Sequence, residues 1–205
     1  LTAWIMSLGF SFNFTNVVFP AFIIAILLIY TRRHRYLGDF LFGIAFMFFS
    51  LAMLSETGAA MDLGHNEELL RFFSSFDTSS YITIVIFLLI GTLLTCILQS
   101  SAALMAITMV LCSSGVLPVY LGIALVMGEN IGTTATANLA ALGANTQARR
   151  AALAHLVFNV FGVFWVLCCF YPFVDAVCSF VNYDPLSGST DPVKLSVVLA
   201  AFHTS

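Results

Sequence analysis

Long apolar blocks separated by short polar punctuation set the pattern of this chain. Thr2 to Leu8 is a short apolar piece ending at Gly9. Asn16 to Tyr30 predicts a first spanning helix, with Pro20 near its start, and runs straight into Arg32-Arg33-His34-Arg35. Tyr36 to Leu54 predicts a second, interrupted only by Asp39. Residues 56–80 then turn polar, with Glu56, Asp62, Glu67, Glu68 and Asp77 against one Arg71, and Glu67 to Phe73 predicts a short surface helix. Tyr81 to Leu98 is strongly apolar. Three shorter arms come next, Ser101 to Ser113, Val116 to Met127 and Ile131 to Leu142. Arg149-Arg150 precede a full span, Ala151 to Tyr171; residues 173–192 are polar, and Val193 begins a last apolar segment. These blocks are far longer than the ~10-residue alternating strands of a membrane barrel, so the pattern predicts helices.

Two small-polar clusters sit where the pattern calls for apolar residues. The first is Gln99-Ser100-Ser101-Ala102-Ala103; the second is Gly128-Glu129-Asn130-Ile131-Gly132-Thr133-Thr134. Each predicts an interruption of a membrane helix. An interruption leaves backbone N–H and C=O groups unpaired, which is tolerated only where protein or a water-filled cavity satisfies them.

Composition places the pattern in a membrane. Of 205 residues, 60% are hydrophobic and 8% charged, and the mean hydropathy is +1.02; a soluble domain carries about 25% charged residues. The net charge of −3 points to no particular partner, and no basic patch suits nucleic acid. Cys96, Cys112, Cys168, Cys169 and Cys178 read as helix packing, since none has partners at metal-ligand spacing. The chain opens at Leu1 and closes at His203-Thr204-Ser205 within a new apolar segment, which reads as an internal piece of a longer protein.

Charge orients the spans. The Arg32 to Arg35 cluster and the Arg149-Arg150 pair belong on the cytoplasmic side, and the acidic loops 56–80 and 173–192 outside. Between Ser80 and Arg149 the chain must then cross an odd number of times. Residues 82–98 descend, 101–113 return, and 116–142 crosses once as a broken helix. Thirteen helical residues reach only about 20 Å, short of the ~30 Å hydrocarbon core, so the return arm is expected to be re-entrant.

A weak internal repeat supports this layout. Thr2-Ala3 is followed by Leu8-Gly9, and Thr136-Ala137 by Leu142-Gly143 at the same spacing. Each copy precedes a short polar link and a span, and the two spans run in opposite directions. Inverted repeats with discontinuous helices are a transporter signature.

The chemistry of the clusters suits an oxyanion beside a small hard cation. An arm starting at Ser101 would present free N–H groups and the positive end of its dipole at the break. Serine hydroxyls and the Gln99 amide supply donors and acceptors. Asn130, Thr133 and Thr134 offer hard oxygens, and Gly128 and Gly132 would permit unwinding. The plainer alternative is Ser, Gln, Asn and Thr as glue between helices. Glu129 is the sole charged residue between Asp77 and Arg149. A charge at the bilayer centre costs roughly 2.5–3.5 kcal/mol or more, so Glu129 is a candidate for ion or proton coupling, against pairing with another part of the protein. No Lys or Arg occurs from Phe72 to Ala148. An anion bound there would need helix ends, hydroxyls and co-bound cations. His155 and Asn159, four apart on one helix face, and His203 read as core hydrogen-bonding residues.

Together the clusters resemble those of the sodium-dependent phosphate cotransporter family (type II Na/Pi, bacterial branch), which has two inverted repeats, each with a Gln-Ser-Ser-Ser and an Asn-Ile-Gly-Thr-Thr stretch. Gln99-Ser100-Ser101 and Asn130 to Thr134 look like the second-repeat copies, and Leu1 to Gly9 looks like the segment just after the first-repeat Asn-Ile-Gly-Thr-Thr. The third motif serine is Ala102 here. The resemblance implies phosphate binding at Gln99, Ser100, Ser101, Thr133 and Thr134, and sodium binding at Gln99, Ser100, Asn130, Thr133 and Thr134.

The expected fold is therefore an all-α, polytopic helical membrane protein: an inverted-repeat transporter with a re-entrant hairpin and a discontinuous helix. Residues 1–55 would end the first repeat and add the following spans, 56–80 would be extracellular, and 81–205 would form the second repeat. That repeat comprises a hairpin over 81–113, a broken helix over 116–142, a span over 151–171 and the start of a last helix over 193–205. The expected function is sodium-coupled symport of inorganic phosphate across the plasma membrane (a bacterial inner membrane) by alternating access. The alternatives are a proton- or sodium-coupled transporter of another small anion using Glu129, and a non-transporting membrane scaffold. No nucleophile–base pair or metal motif marks an enzyme, and no cofactor is expected beyond sodium as a co-transported ion. Phosphate, sodium and the lipid bilayer are the expected partners, with no nucleic acid; a homodimer is compatible with the reading.

Overall fold

A computed structural model describes residues 2–11, 15–31, 34–186 and 191–204. They form ten α-helices: α1 Thr2–Ser11, α2 Thr15–Tyr30, α3 Arg35–Ala60, α4 Glu67–Ser74, α5 Tyr81–Leu98, α6 Ser101–Ser113, α7 Val119–Ala140, α8 Thr146–Cys168, α9 Phe170–Val181 and α10 Pro192–Thr204. Short 3-10 turns come after α3 and α7, and no strand occurs among the described residues. Among the described residues, three stretches are long and apolar enough to cross a membrane: Arg35–His65, Tyr81–Leu98 and Thr146–Cys168. Arg32 and Arg33, half of the expected cytoplasmic cluster, lie outside the described residues, as do Leu1 and Ser205.

The centre of the structure is the first half of α7. Every residue from Val119 to Glu129 is buried, an all-round burial that marks a core helix rather than a surface one. Around it stand α5, α6, α8 and α10. α5 lies parallel to α7, and small residues let the two backbones meet. A Cβ on Gly91 would strike the Leu125 carbonyl oxygen, and one on Gly128 the Leu88 carbonyl oxygen. α6 runs antiparallel to α7 and joins it through Gly115 (φ 77°) and Pro118. On the far side α10 packs on α1, where Ser7 and Ser196 hydroxyls lie 3.0 Å apart in a buried contact.

α2 and α3 form a hairpin that joins the rest through α3, where Leu51 enters the core and Gly58 meets Val110 of α6. Gly38 takes the Ala25 carbonyl at a distance only a hydrogen would permit, and Phe22 meets Phe42, Phe46 and Phe49 edge-on. Their outer faces stay exposed and apolar, with Phe19 at 61%, Leu27 at 62% and Phe40 at 65%, the profile of a lipid-facing surface.

Several predicted boundaries shift. α3 runs on through Glu56 to Ala60, so the polar stretch opens as helix rather than loop. The surface helix expected over Glu67 to Phe73 is present as α4; its first turn is capped by Asn66 Oδ1, which accepts from the Glu68 and Leu69 amides. The polar 173–192 loop is corrected most: α8 ends at Cys168, and α9 occupies 170–181. Pro172 sits in the first turn of α9, where no intrahelical N–H bond is lost. Phe170, Val174 and Cys178, each four apart, bury one face of α9. Of that expected loop, residues 187–190 lie outside the described residues.

Candidate functional site

The two polar clusters, so alike in sequence, take different backbones. At the first, α5 stops at Leu98. Gln99 adopts the left-handed conformation (φ 54°, ψ 26°), and its amide donates to the Thr95 carbonyl at 2.8 Å. Ser100 is extended (φ −149°), and its Oγ accepts from the Ala103 amide at 3.2 Å, capping α6. The chain thereby reverses in two residues. The amides of Ser101 and Ala102, the first of α6, have no hydrogen-bond partner among the described residues. They face outward from a positive helix end. Gln99 is exposed; Ser100 and Ser101 are half-buried.

At the second cluster the expected break is absent. α7 continues as α-helix from Val119 to Ala140, through Gly128 to Thr134. The glycines do not unwind it; they admit α5. Gly128 lies against the Leu88 carbonyl and the Thr92 amide, and Gly132 against Thr95 and the Thr92 carbonyl. The Thr92 hydroxyl donates to the Gly128 carbonyl at 3.1 Å, and the Cys96 thiol to the Gly132 carbonyl at 3.7 Å. The threonine hydroxyls are satisfied within the helix: Thr133 donates to Glu129 O (2.9 Å), and Thr134 to Ile131 O (2.8 Å) and Asn130 O (3.3 Å). This back-bonding replaces the unwinding expected from the sequence.

The α5–α7 register relates the clusters. With Thr92 on Gly128 and Cys96 on Gly132, the Gln99-Ser100 turn falls about one helical turn beyond Gly132 on the neighbouring helix. Thr133 is exposed, Asn130 half-buried and Thr134 buried. Each threonine proton is committed to a backbone carbonyl, so what remains on Thr133 is oxygen lone pairs, which accept or coordinate but do not donate. Asn130 Nδ2 donates to the Phe202 carbonyl of α10 at 3.3 Å, leaving its Oδ1 as the free function. The second cluster thus offers oxygen acceptors, and the first offers N–H donors.

Glu129 is fully buried, and its Oε2 lies 3.6 Å from His203 Nδ1 on α10. Neither Glu129 oxygen nor His203 Nδ1 has a hydrogen-bond partner, and Thr95 Oγ1 is likewise buried without one. His203 therefore is not the core hydrogen-bonding residue expected. His155 is exposed, and it meets Asn159 only through its backbone carbonyl, which accepts from Asn159 Nδ2 at 3.0 Å. The sequence reading missed Thr92 and Thr95 of α5, whereas Cys96, read as helix packing, does pack there on Gly132. All five cysteines are free, and no group of metal-ligating side chains occurs among the described residues.

A family model described as Na+/Pi-cotransporter matches residues 67–172, which hold both clusters and half of the chain. The chain is also 32% identical over 169 residues to a protein of Bacillus subtilis (strain 168) described as uncharacterized protein YqeW, covering 81% of this chain. It spans about half of that relative, 52% of its length. No solved structure matches.

Proposed function

The chain belongs to the Na+/Pi-cotransporter family, and from that premise we propose that its parent protein carries inorganic phosphate across a membrane together with sodium. The carrying observation is the division of chemistry between the clusters. A phosphate oxygen needs donors, and the open amides of Ser101 and Ala102, with the hydroxyls of Ser100 and Ser101 and the side-chain amide of Gln99, supply them at a helix N-terminus. Sodium needs oxygen acceptors, and Asn130 Oδ1, the lone pairs of Thr133 and Thr134, and carbonyls at the Gln99–Ser100 turn supply those. With no Lys or Arg between Phe72 and Ala148, a bound cation completes the charge balance of the anion. Thr133 and Thr134, which the family resemblance assigns to both ions, serve sodium in this reading.

In the same proposal α5 and α6 form a re-entrant hairpin entered from outside, because the 13 residues of α6 reach about 20 Å of a ~30 Å core. Residues 81–205 act as one of two inverted repeats, and transport proceeds by alternating access between them. The protein works in the plasma membrane without enzymatic chemistry.

The test is uptake of labelled phosphate by the full-length protein in proteoliposomes. Uptake should require an inward sodium gradient and fall at least tenfold in Ser100→Ala. Normal, sodium-dependent uptake by that variant would remove the site from the mechanism. A second reading, transport of another small anion coupled through Glu129, draws on the fully buried carboxyl beside His203. It predicts uptake that persists without sodium, collapses in Glu129→Gln, and prefers sulfate or a carboxylate in competition.

A further inference from the structure

The basic pair that orients the chain also lines a cleft. Between the end of α7 and the first turns of α8 lies a cavity of about 430 Å3, whose walls include Leu139, Leu142, Thr146, Arg149, Arg150 and Leu153. Asn138 fixes its shape, because Nδ2 donates both to Thr134 O at 2.9 Å and to Ala152 O at 2.8 Å, tying α8 to α7. The walls are chemically split. Leu139, Leu142 and Leu153 are each more than half exposed (65%, 66% and 55%). Both arginines are exposed and take part in neither of the arginine–carboxylate pairs among the described residues, Arg35–Asp39 and Arg71–Glu67. No acidic residue lies between Glu129 and Asp175 to neutralise them.

We propose that this cleft binds the headgroup of an anionic phospholipid, the phosphate on Arg149 and Arg150 and the first acyl carbons on Leu139, Leu142 and Leu153. The positive-inside orientation sets the cleft where α8 enters the cytoplasmic leaflet, at headgroup depth. Guanidinium pairs recognise phosphate by bidentate hydrogen bonds, and basic pockets between spanning helices on the cytoplasmic side suit anionic headgroups. A free phosphate ion would gain nothing from the three leucines. The assignment is independent of which ion the protein carries.

The test uses the full-length protein in detergent with an equimolar mixture of phosphatidylglycerol and phosphatidylcholine, weighed by native mass spectrometry. The protein should retain phosphatidylglycerol about tenfold over phosphatidylcholine. Arg149→Gln/Arg150→Gln should bring the ratio to parity, whereas Arg71→Gln, in an exposed surface pair, should leave it unchanged. Arg149→Lys/Arg150→Lys keeps both charges and should keep most of the preference, which separates loss of the site from loss of the fold. Millimolar glycerol phosphate should not displace the lipid. Parity in the unaltered protein, as when another segment fills the cleft, would overturn the proposal. So would a preference untouched by the double Gln variant, and so would ready displacement by glycerol phosphate, which would reassign the cleft to a small anion.

Discussion

Gln99–Ser101 and Gly128–Thr134 look like two versions of one device, small and polar residues interrupting an apolar helix, but only the first interrupts. The difference lies in the local backbone and in what packs against it. At Gln99, although α7 runs on alongside to Ala140, the chain enters the left-handed region, Ser100 caps a new helix, and α6 turns back (φ 54° at Gln99). At Gly128 and Gly132 a partner is present. α5 lies so close that its Leu88 and Thr92 backbone atoms occupy the space of absent side chains. A glycine pair four residues apart is thus a contact face here, and a Gln-Ser pair is the hinge. Glycine alone does not break a membrane helix whose polar groups can bond back into it.

The largest expected effect comes from breaking the contact face. In an open helix, Gly→Ala is stabilising by roughly 1 kcal/mol. At Gly128 the new methyl would meet the Leu88 carbonyl oxygen and sit 2.8 Å from the Thr92 nitrogen, backbone atoms that cannot swing aside. Gly128→Ala should therefore destabilise by about 1–3 kcal/mol or more, read as a lowered thermal midpoint of the full-length protein in detergent. Gly43 on α3, where an added methyl would meet nothing within 4 Å, is the control: Gly43→Ala should hold or raise the midpoint. A neutral Gly128→Ala would restore the unwound-helix reading.

Next in size is the hinge itself. A left-handed residue with a Cβ costs about 1–2 kcal/mol, so Gln99→Gly should raise the thermal midpoint while cutting phosphate uptake. An uptake equal to that of the unaltered protein would leave Gln99 a turn residue alone. Ser100→Ala removes the cap on Ala103 and should cost about 1 kcal/mol of stability, whereas Ser100→Asn, another good cap, should recover the midpoint without recovering uptake. The smallest effect is expected at Thr133. Its side chain is exposed and its hydroxyl bonds its own helix, so Thr133→Val should change stability by less than about 0.5 kcal/mol, yet raise the sodium concentration needed for half-maximal uptake several-fold.

Much of the fold was legible because apolar block length and caps are local. α5 and α6 fall on the predicted residues, Tyr81 to Leu98 and Ser101 to Ser113, since Ser80, Gln99 and Ser100 mark their ends. α9 was hidden because polar residues mask its narrow buried face of Phe170, Val174 and Cys178. The continuity of α7 was hidden for a different reason. Whether Gly128 and Gly132 loosen a helix or admit a neighbour is decided by α5, some 36 residues away. Likewise Glu129 was conspicuous as a lone charge, but its neighbour His203 on α10 is a tertiary fact. The division of donors from acceptors also depends on the folded helix, where the Thr133 and Thr134 protons go to carbonyls of α7 itself.

That division is tested most directly by measuring phosphate and sodium half-saturation of uptake for full-length Ser101→Ala and Thr133→Val in proteoliposomes. Ser101→Ala should shift chiefly the phosphate value, and Thr133→Val chiefly the sodium value. If neither variant changes either constant, or if the two shifts are exchanged, donors at the hinge and acceptors on α7 are not the basis of the site.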